Sequence, residues 1–366
     1  MGKIYSALGL MSGTSMDGVD ASIIQSDGED DFKAVSNNYF QYNEDLFKKL
    51  NNLRDRINRS KDIANLFDEI KLIEKEITLF HGQVSIELIQ KTGIEVDLIG
   101  FHGQTIFHNV EEKITKQIGD ANLLSQLTKK KVIYDFRSND LKNGGEGAPL
   151  TPIFHKLLVK NLEKKGKIKT PVIILNIGGI ANITLIDSNY NMSSHDIGPG
   201  NCLIDKWVRT NSGKQFDDNG DIAKSGIIDR FILSQALDSF YNNNISKQKS
   251  FDINDFDIVF ARGLTLENGA ATITEFTANI LSEKVLNNNI YVCGGGRKNQ
   301  FLIKSIQKKI ENKINDIDEL DVDGSFIESQ AFGYLAIRSL LNLPISFPET
   351  TGCKNKCTGG VLVENY

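Results

Sequence analysis

Apolar and polar residues alternate, or apolar residues form short runs, over the first 42 positions, and Gly and Asp interrupt them. This pattern predicts three short strands. Between residues 62 and 89 the apolar positions instead recur every three or four residues, which predicts a long amphipathic helix with one core-facing stripe. Its members are Ile63, Phe67, Ile70, Ile73, Ile77, Phe80, Val84 and Leu88. Buried strands are predicted at 97–101 and 131–135.

A second cycle of strands and helices begins near residue 172. The pattern predicts a strand at 172–175, a hairpin that ends near 186, and a helix from about Cys202. Further elements are predicted in order: helices at 227–240 and 264–286, a strand at 290–293, and helices at 299–310 and 329–341. Two such cycles indicate a duplicated α/β fold rather than one open sheet. A chain of 366 residues is also long for one core, so two domains are expected.

Charge and composition exclude several classes of protein. The formal charge is 42 − 47 = −5, which argues against a nucleic-acid partner bound by bulk electrostatics. There is no apolar run of about 18 residues, and the start of the chain has no basic leader, so no membrane span or signal peptide is expected. The four cysteines are scattered, which favours a reduced, cytoplasmic protein. Cys353 and Cys357 have no second Cys or His pair near them in the sequence, so no zinc site is predicted there.

Two stretches about half a chain apart, 8–20 and 175–184, follow the same local plan. Each has an apolar strand, a turn rich in Gly, Ser, Thr or Asn, and a second apolar strand. A turn with little side-chain bulk lets backbone N–H groups approach an anion closely. Asp17 and Asp20 follow the first turn, where carboxylates could hold a hydrated Mg²⁺ against phosphates. The alternative is a plain β-hairpin turn, since Gly and Ser favour turns in any case.

A loop at residues 194–201 is the most informative one for mechanism. Asp196 is followed by Gly198, Pro199 and Gly200, a pattern that excludes a helix interior and a central strand. Asp196 is therefore expected at a strand end, beside backbone that a ligand can approach. The alternative is that Asp196 caps the helix that begins near Asn201. His195 would point to the opposite face of an extended strand, and a structural role is expected for it.

Two more segments follow predicted strands. Gly294, Gly295 and Gly296 precede a predicted helix, which suits adenosine or phosphate contact, whereas the spacing of a dinucleotide-binding fingerprint is absent. His102 and Gln104 end another strand, where polar groups face the ligand crevice of an α/β domain. They are candidates for sugar binding or for positioning loops. The five histidines show no metal-ligand grouping.

Nine segments along the chain, taken together, form a specific pattern. They come in the order GTSMDGVD, GFHGQT, QIGD, DFR, GGEGAPLTPIFH, LNIGGIANIT, DIGPGN, CGGGRKN and ESQAFGYLA. With these segments the chain resembles the anhydro-N-acetylmuramic acid kinases over essentially its full length. Two departures are present. Arg137 is followed by Ser138 and Asn139 where the family usually has a basic triplet, and residues 247–252 replace a KSTGRE-like segment.

The resemblance implies a duplicated ribonuclease H-like fold of the actin, hexokinase and heat-shock ATPase superfamily, with an interdomain nucleotide cleft. The expected domains are residues 1–130, with 342–366 packing back on them, and residues 131–341. ATP and Mg²⁺ are the implied cofactors, with Asp17 and Asp20 near the metal, through water. The implied nucleotide-binding residues are Gly13, Thr14, Ser15, Met16, Asp17, Gly18, Val19, Asp20, Asn176, Gly178, Gly179, Gly294, Gly295 and Gly296.

The implied substrate is 1,6-anhydro-N-acetylmuramic acid, and the implied setting is cell-wall recycling in a cytoplasmic homodimer. Its O6 is tied to C1 and carries no proton, so a water must open the C1–O6 bond while O6 attacks the γ-phosphate. Asp196 matches the family's catalytic aspartate and would activate this water. Glu328 is the second acidic candidate. His102 and Gln104 would contact the sugar, and Arg137 its lactyl carboxylate.

The sequence is also compatible with two other functions. A kinase of the same fold could phosphorylate an ordinary sugar hydroxyl. A nucleotide-driven switch of the actin or chaperone type would need a large peptide-binding or polymer-forming module. The chain has no Pro-rich or charge-rich linker that leads to one.

Overall fold

The computed structural model describes residues 2–242, 250–285 and 289–366. Contacts divide the described chain into two compact units. Unit 1 contains the chain up to Lys165 together with Phe326–Tyr366, and unit 2 contains Gly166–Ser325. No helix in the described ranges is long and apolar enough to cross a membrane.

The sheet of unit 1 begins with a three-stranded antiparallel meander. The fourth strand pairs parallel to the first, and the sixth pairs parallel to the fourth. The fifth strand pairs with the second half of the fourth, and the last strand of the chain pairs with the sixth. The strands are β1 (Tyr5–Ser12), β2 (Gly18–Ser26), β3 (Phe32–Gln41), β4 (Leu98–Asn109), β5 (Ile114–Ile118), β6 (Lys131–Tyr134) and β12 (Val361–Val363).

Helices of unit 1 cover this sheet. They are α1 (Glu44–Arg56), α2 (Ser60–Asn65), α3 (Phe67–Thr92), α4 (Ala121–Thr128), α5 (Ser138–Lys142), α6 (Pro152–Lys164), α12 (Ile327–Leu340) and α13 (Pro348–Thr351). The close packing of α12 on the sheet explains a glycine in β1. A Cβ on Gly9 would lie 1.8 Å from the Ser329 carbonyl oxygen of α12. The long helix predicted at 62–89 is interrupted at Leu66, which lies outside both α2 and α3.

Unit 2 repeats the plan on a smaller scale. Its five strands in the described chain are β7 (Val172–Ile177), β8 (Ile180–Ile186), β9 (Met192–Pro199), β10 (Asn289–Cys293) and β11 (Ile314–Asp316). Its helices are α7 (Cys202–Asn211), α8 (Asp221–Ser225), α9 (Arg230–Asn242), α10 (Leu266–Ser282) and α11 (Gln300–Gln307). Residue 286, where the helix predicted at 264–286 was to end, lies outside the described residues.

Strand order confirms the duplicated α/β fold. The core orders are β3-β2-β1-β4-β6 in unit 1 and β9-β8-β7-β10-β11 in unit 2. In both, three antiparallel strands are followed by two parallel ones. This is the ribonuclease H-like arrangement, present once in each unit.

The domain boundaries expected from the sequence stay a prediction. The compact units divide the chain at 165/166 and 325/326 instead of at 130/131 and 341/342. The reason is local: β6 hydrogen-bonds to β4, and α12 packs on β1 and β2. The C-terminal β12 pairs with β6 inside unit 1.

Candidate active site

The first hairpin turn of unit 1 lies between β1 and β2. The Met16 amide donates to the Gly13 carbonyl at 3.2 Å, and Met16 itself takes the left-handed conformation at φ 57°. A Cβ on Gly13 would have Ser15 Oγ, at 3.8 Å, as its nearest neighbour among the described residues. The space beside Gly13 is therefore open to a ligand. The absence of a side chain at Gly13 leaves this space free, and no unusual backbone angle requires the glycine.

Not every residue of this turn can meet a ligand through its side chain. The Met16 side chain is 1% exposed and lies in the core of unit 1 together with Val19. A Cβ on Gly18 would lie 2.4 Å from the Phe40 carbonyl oxygen of β3. Met16, Gly18 and Val19 can therefore contribute backbone groups alone, whereas Thr14 and Ser15 are exposed.

Asp17 and Asp20, the two carboxylates predicted near a metal, lie beside one phenol. Burial raises the pKa of Tyr39, and the negative charges of Asp17 and Asp20 raise that pKa further, as does a hydrogen bond to Asp17. Ser15 Oγ also donates to Asp17 Oδ1 at 2.6 Å. The turn thus gathers carboxylate and hydroxyl oxygens, which are the donors that Mg²⁺ prefers.

A buried network of polar side chains lies next to the first turn and supports it. Ser12 Oγ lies 2.9 Å from the Tyr42 hydroxyl and 3.1 Å from His81 Nε2. Burial lowers the pKa of His81 to about 4, so this imidazole is neutral at pH 7. Gln104 Nε2 donates to the Gly13 carbonyl at 3.0 Å, which links a predicted substrate residue to the turn. Tyr42 and His81 could not be predicted from the sequence, because their contacts join distant segments.

The second hairpin turn, in unit 2, packs against the triple-glycine loop. The Cys293 thiol donates to Asn176 Oδ1 at 3.7 Å, and a Cβ on Gly294 would lie 2.4 Å from that same oxygen. A Cβ on Gly296 would lie 2.2 Å from Ile177 Cγ2. Around Gly295, by contrast, the described chain leaves the Cβ position open within 4 Å. Packing therefore requires Gly294 and Gly296, and Gly295 is the one that a ligand could approach.

The loop that carries Asp196 is hydrogen-bonded to the same turn. The Gly200 amide donates to the Gly179 carbonyl at 2.9 Å, and the Asn201 amide donates to the Gly178 carbonyl at 2.8 Å. Gly200 must lack a side chain, because a Cβ would lie 2.2 Å from the Gly178 oxygen. The second hairpin, the triple-glycine loop and the Asp196 loop are thus one connected assembly in unit 2.

Asp196 is 8% exposed and lies near the end of β9, the edge strand of its sheet. Its Oδ2 accepts a hydrogen bond from the Phe251 amide at 2.8 Å. Helix α7 begins after Asn201, whose side chain forms no capping hydrogen bond, and the alternative capping role for Asp196 stays a prediction. Residues 247–249 of the departing segment lie outside the described residues, but that segment's Phe251 contacts Asp196 directly.

Arg297 anchors the triple-glycine loop and was not singled out from the sequence. Its NH1 donates to the Gly294 carbonyl at 3.2 Å, and its guanidinium pairs with Asp318 at 2.7 Å and Asp316 at 3.3 Å. Burial alone would lower the pKa of Arg297, but the hydrogen bond and charge of Asp318 raise it. The basic residue after three glycines was the available signal.

Two predicted substrate residues of unit 1 contact each other. Arg137 donates from NH2 to His102 Nε2 at 3.0 Å and from NH1 to the Gly147 carbonyl at 3.2 Å. Burial, with the charge of Arg137, lowers the pKa of His102 well below its usual value. A cavity of about 410 Å³ lies beside His102, and its wall includes Gly119 and Asp120 of the QIGD segment.

Glu328 lies in the first turn of α12 and is partly buried. The next residue fixes this helix end on the sheet, because Ser329 Oγ and Ser22 Oγ are 2.7 Å apart. Glu328 belongs to unit 1 and Asp196 to unit 2. Each acidic candidate is therefore held by the fold of its own unit.

Comparisons with known proteins identify the family. The family profile described as anhydro-N-acetylmuramic acid kinase matches residues 5–365. A protein of that name from Pelagibacter ubique is 52% identical, covering 100% of both chains, and one from Agrobacterium fabrum is 36% identical, covering 99% of this chain and 100% of its own. Among solved structures, the ADPNP-bound activator of 2-hydroxyisocaproyl-CoA dehydratase from Clostridium difficile matches with a TM-score of 0.42 and 12% identity, covering 91% of this chain and 94% of its own. The chain belongs to the anhydro-N-acetylmuramic acid kinase family.

Proposed function

We propose that this protein uses ATP to open and phosphorylate 1,6-anhydro-N-acetylmuramic acid, giving N-acetylmuramic acid 6-phosphate and ADP in cell-wall recycling. The observation that carries the proposal is family membership over residues 5–365. The buried Asp196 beside the second hairpin supports the assignment of roles. We place the reaction in the cytoplasm, where ATP is available.

The chemistry requires water and one base. The oxygen of water bonds to C1, the C1–O6 bond breaks, and O6 bonds to the γ-phosphorus as ADP leaves. One proton of the water passes to the Asp196 carboxylate, which acts as general base. The hydrogen bond from the Phe251 amide fixes the orientation of that carboxylate. Glu328 is proposed as the second acidic group of the reaction.

The hairpin turns suit the polyphosphate of the nucleotide. Gly13, Gly178 and Gly295 leave room for close approach, and their neighbours supply backbone N–H groups. Asp17 and Asp20, held beside Tyr39, would bind Mg²⁺ through water. Mg²⁺ would supply neutralisation of phosphate charge.

The sugar is proposed to bind beside His102, Gln104 and Arg137. The guanidinium of Arg137 is suited to the lactyl carboxylate, because Arg binds carboxylates in a bidentate manner. The hydrogen bond from Gln104 to the Gly13 carbonyl joins this sugar side to the first phosphate turn. A movement of the Gln104 side chain would therefore also move the Gly13 turn.

A homodimer, which the family resemblance implies, is part of the proposal. Its support is a row of exposed apolar side chains on α3 with heptad spacing, at Leu72, Leu79 and Ile86. Such a row buries itself readily against a second copy of the same helix.

Isotope labelling tests the reaction directly. Product formed in ¹⁸O-labelled water should carry the label at C1, while the oxygen that bridges to phosphorus stays unlabelled. Free N-acetylmuramic acid serves as the matched substrate, and it should be phosphorylated more slowly than the anhydro sugar. Label in the phosphate, or a preference for the free sugar, would sink the coupled mechanism and favour an ordinary hydroxyl kinase.

A further inference from the structure

Two thiols and one carboxylate meet in unit 1, outside the residues assigned above. Asp140, Cys353 and Cys357 each place one ligand atom within 4.8 Å of the other two. Asp140 is fully buried, Cys353 is 1% exposed, and Cys357 is partly buried. This group could not be predicted from the sequence, because Asp140 lies on α5, whereas the cysteines follow α13 near the end of the chain.

Two hydrogen bonds orient the carboxylate of this group. Asp140 Oδ2 accepts from the Gly147 amide at 2.7 Å, and Oδ1 accepts from Thr351 Oγ1 at 2.6 Å. The Cys357 sulfur lies 3.9 Å from Oδ1. Hydrogen bonds that hold a carboxylate in one orientation are what metal sites use around their first ligands.

A buried hydroxyl beside Cys357 supplies an independent observation. Ser346 forms a short antiparallel bridge with Cys357, so their side chains lie on the same side of the paired backbone. Ser346 is 1% exposed, and within the described part of the chain its Oγ forms no hydrogen bond of good geometry, although it lies beside the Cys357 thiol. A hydroxyl in this place could donate to a thiolate, which accepts hydrogen bonds far better than a thiol does.

We propose that Asp140, Cys353 and Cys357 bind a zinc ion, with water as the fourth ligand. Thiolates exclude Mg²⁺ and Ca²⁺, which prefer oxygen, and favour Zn²⁺. Tetrahedral zinc, with Zn–S near 2.3 Å and Zn–O near 2.0 Å, sets S and O about 3.5 Å apart. The observed 3.9 Å between Cys357 Sγ and Asp140 Oδ1 requires a movement of about 0.4 Å.

The ion would join three parts of unit 1. Asp140 belongs to α5, the cysteines to the C-terminal segment, and Gly147 to the loop that precedes α6. Gly147 donates to Asp140 and accepts from Arg137, so zinc would hold the backbone on which Arg137 rests. The site is structural in this proposal and does not depend on the kinase reaction.

Cobalt substitution tests the site without use of activity. The full-length protein, reduced and freed of metal with a chelator, is titrated with Co²⁺ and then with Zn²⁺. One Co²⁺ per chain should bind and give the near-ultraviolet absorption of a thiolate ligand, and Zn²⁺ should abolish it. Cys357→Ala should lose this absorption and bind zinc at least ~100-fold more weakly, a larger effect than outer contacts usually have. Cys202→Ala, a thiol of α7 in unit 2, is the matched control and should bind as the wild type does.

The outcomes separate the proposal from its rivals. Absence of a thiolate band in the reduced wild type, or its persistence in Cys357→Ala, would overturn the proposal. A Cys353–Cys357 disulfide that forms equally in the presence of zinc would also overturn it. Circular dichroism of metal-free Cys357→Ala checks its fold, and the wild-type spectrum decides the matter where that variant does not fold.

Discussion

At the residue scale, Asp196 allows chemistry to be separated from folding. Its carboxylate is buried and accepts the Phe251 amide at 2.8 Å, an interaction that an asparagine oxygen would keep. Asp196→Asn should therefore leave the folded structure and nucleotide affinity in place. Loss of the base should lower kcat by ~10³-fold or more.

Steady-state kinetics and ADP binding by calorimetry measure this prediction. Asp187→Asn, in the exposed turn between β8 and β9, is the matched control and should retain activity. Near-normal turnover of Asp196→Asn would move the role of base to Glu328 or elsewhere.

Glycines of the two turns are predicted to serve the ligand rather than the fold. A Cβ on Gly13 or Gly178 would lie no closer than 3.8 Å or 3.4 Å to its nearest described neighbour. Gly13→Val and Gly178→Val should therefore fold and lose nucleotide binding, because the branched side chain occupies space meant for phosphate.

Thermal unfolding and fluorescence titration with ADP distinguish the two effects. Gly9→Val is the contrasting control: its Cβ would lie 1.8 Å from the Ser329 carbonyl, so it should fail to fold stably. Unchanged affinity in both turn variants would show that the hairpins are structural turns alone.

Sequence reasoning reached the residues that lie in distinctive local patterns. Asp196 stands before Gly-Pro-Gly, and Gly13 stands in a turn between two apolar strands, so each could be singled out from its neighbours. Tyr39 lacks such a context, and the three glycines before Arg297 do not show which groups its guanidinium contacts. Tyr39 matters because β3 brings it to Asp17 and Asp20, and that pairing is set by the sheet rather than by sequence spacing.

At the scale of elements, Arg297 shows how a loop is fixed in shape. Its guanidinium is 4% exposed and holds the Gly294 carbonyl while it pairs with Asp318. Arg297→Gln should lower the free energy of unfolding by about 1–3 kcal/mol. The loss is moderate because the carboxylate partners of Arg297 are partly exposed, so water can solvate them when the guanidinium is removed. It should also weaken nucleotide binding, because the loop around Gly295 loses its support.

Urea unfolding with ADP titration checks both parts of this prediction. Lys298→Gln removes an exposed positive charge from the same loop and should change neither quantity appreciably. Stability loss with full ADP affinity in Arg297→Gln would mean that the loop does not contact the nucleotide.

The elements that the sequence predicts have the predicted type in the structure, but α1, α4 and α6 were not predicted, and two predicted extents differ clearly. The strand predicted at 97–101 continues as β4 to Asn109, because β5 pairs with its second half. Gly103 takes a left-handed φ of 73° within this strand. In a sequence, a glycine at such a position is usually interpreted as the start of a turn, so the strand is predicted to end too early. The predicted helix at 62–89 breaks at Leu66 although its apolar stripe continues, so periodicity could not locate the break.

At the scale of the whole molecule, duplication was predictable because each unit repeats one order of strands. The expected domain boundaries stay a prediction, and the compact units place residues 326–366 with unit 1. A pattern of helices and strands carries no record of which sheet a late helix packs on. The thiol and carboxylate group of Asp140, Cys353 and Cys357 was missed for the same reason.

Buried histidines make the stability of the folded protein depend on pH. Burial lowers the pKa of His81 to about 4 and the pKa of His108 and of His155 to about 3, from an ordinary 6.5. Between these values the unfolded chain binds more protons than the folded one. Stability should therefore be fully present above pH ~6.5 and fall, by about 1.4 kcal/mol per pH unit for each histidine, as pH decreases toward the folded pKa values.

Urea unfolding at a series of pH values measures this slope. Burial also lowers the pKa of His102, so this histidine contributes to the same slope. His81→Gln removes one of these titrations, so its slope between pH ~6 and ~4.5 should be smaller than that of the wild type by about 1.4 kcal/mol per pH unit. A wild-type stability that is constant over this range would contradict the burial of these imidazoles.

The exposed row on α3 leads to the last prediction, which concerns assembly. Leu72 is 67% exposed, Leu79 44% and Ile86 37%, and their spacing of seven places them along one stripe of the helix. Two copies of α3 that pack along this stripe would bury it, so the wild type should sediment as a dimer at micromolar concentration. Leu72→Glu combined with Leu79→Glu would place charges in that interface and should give a monomer. Because both side chains are exposed within the chain, the unfolding free energy of the double variant should differ from that of the wild type by less than about 1 kcal/mol.

Lys75→Glu, at an exposed polar position on the same helix, is the control for added negative charge. A monomeric wild type, or a double variant that stays dimeric, would exclude α3 as the interface.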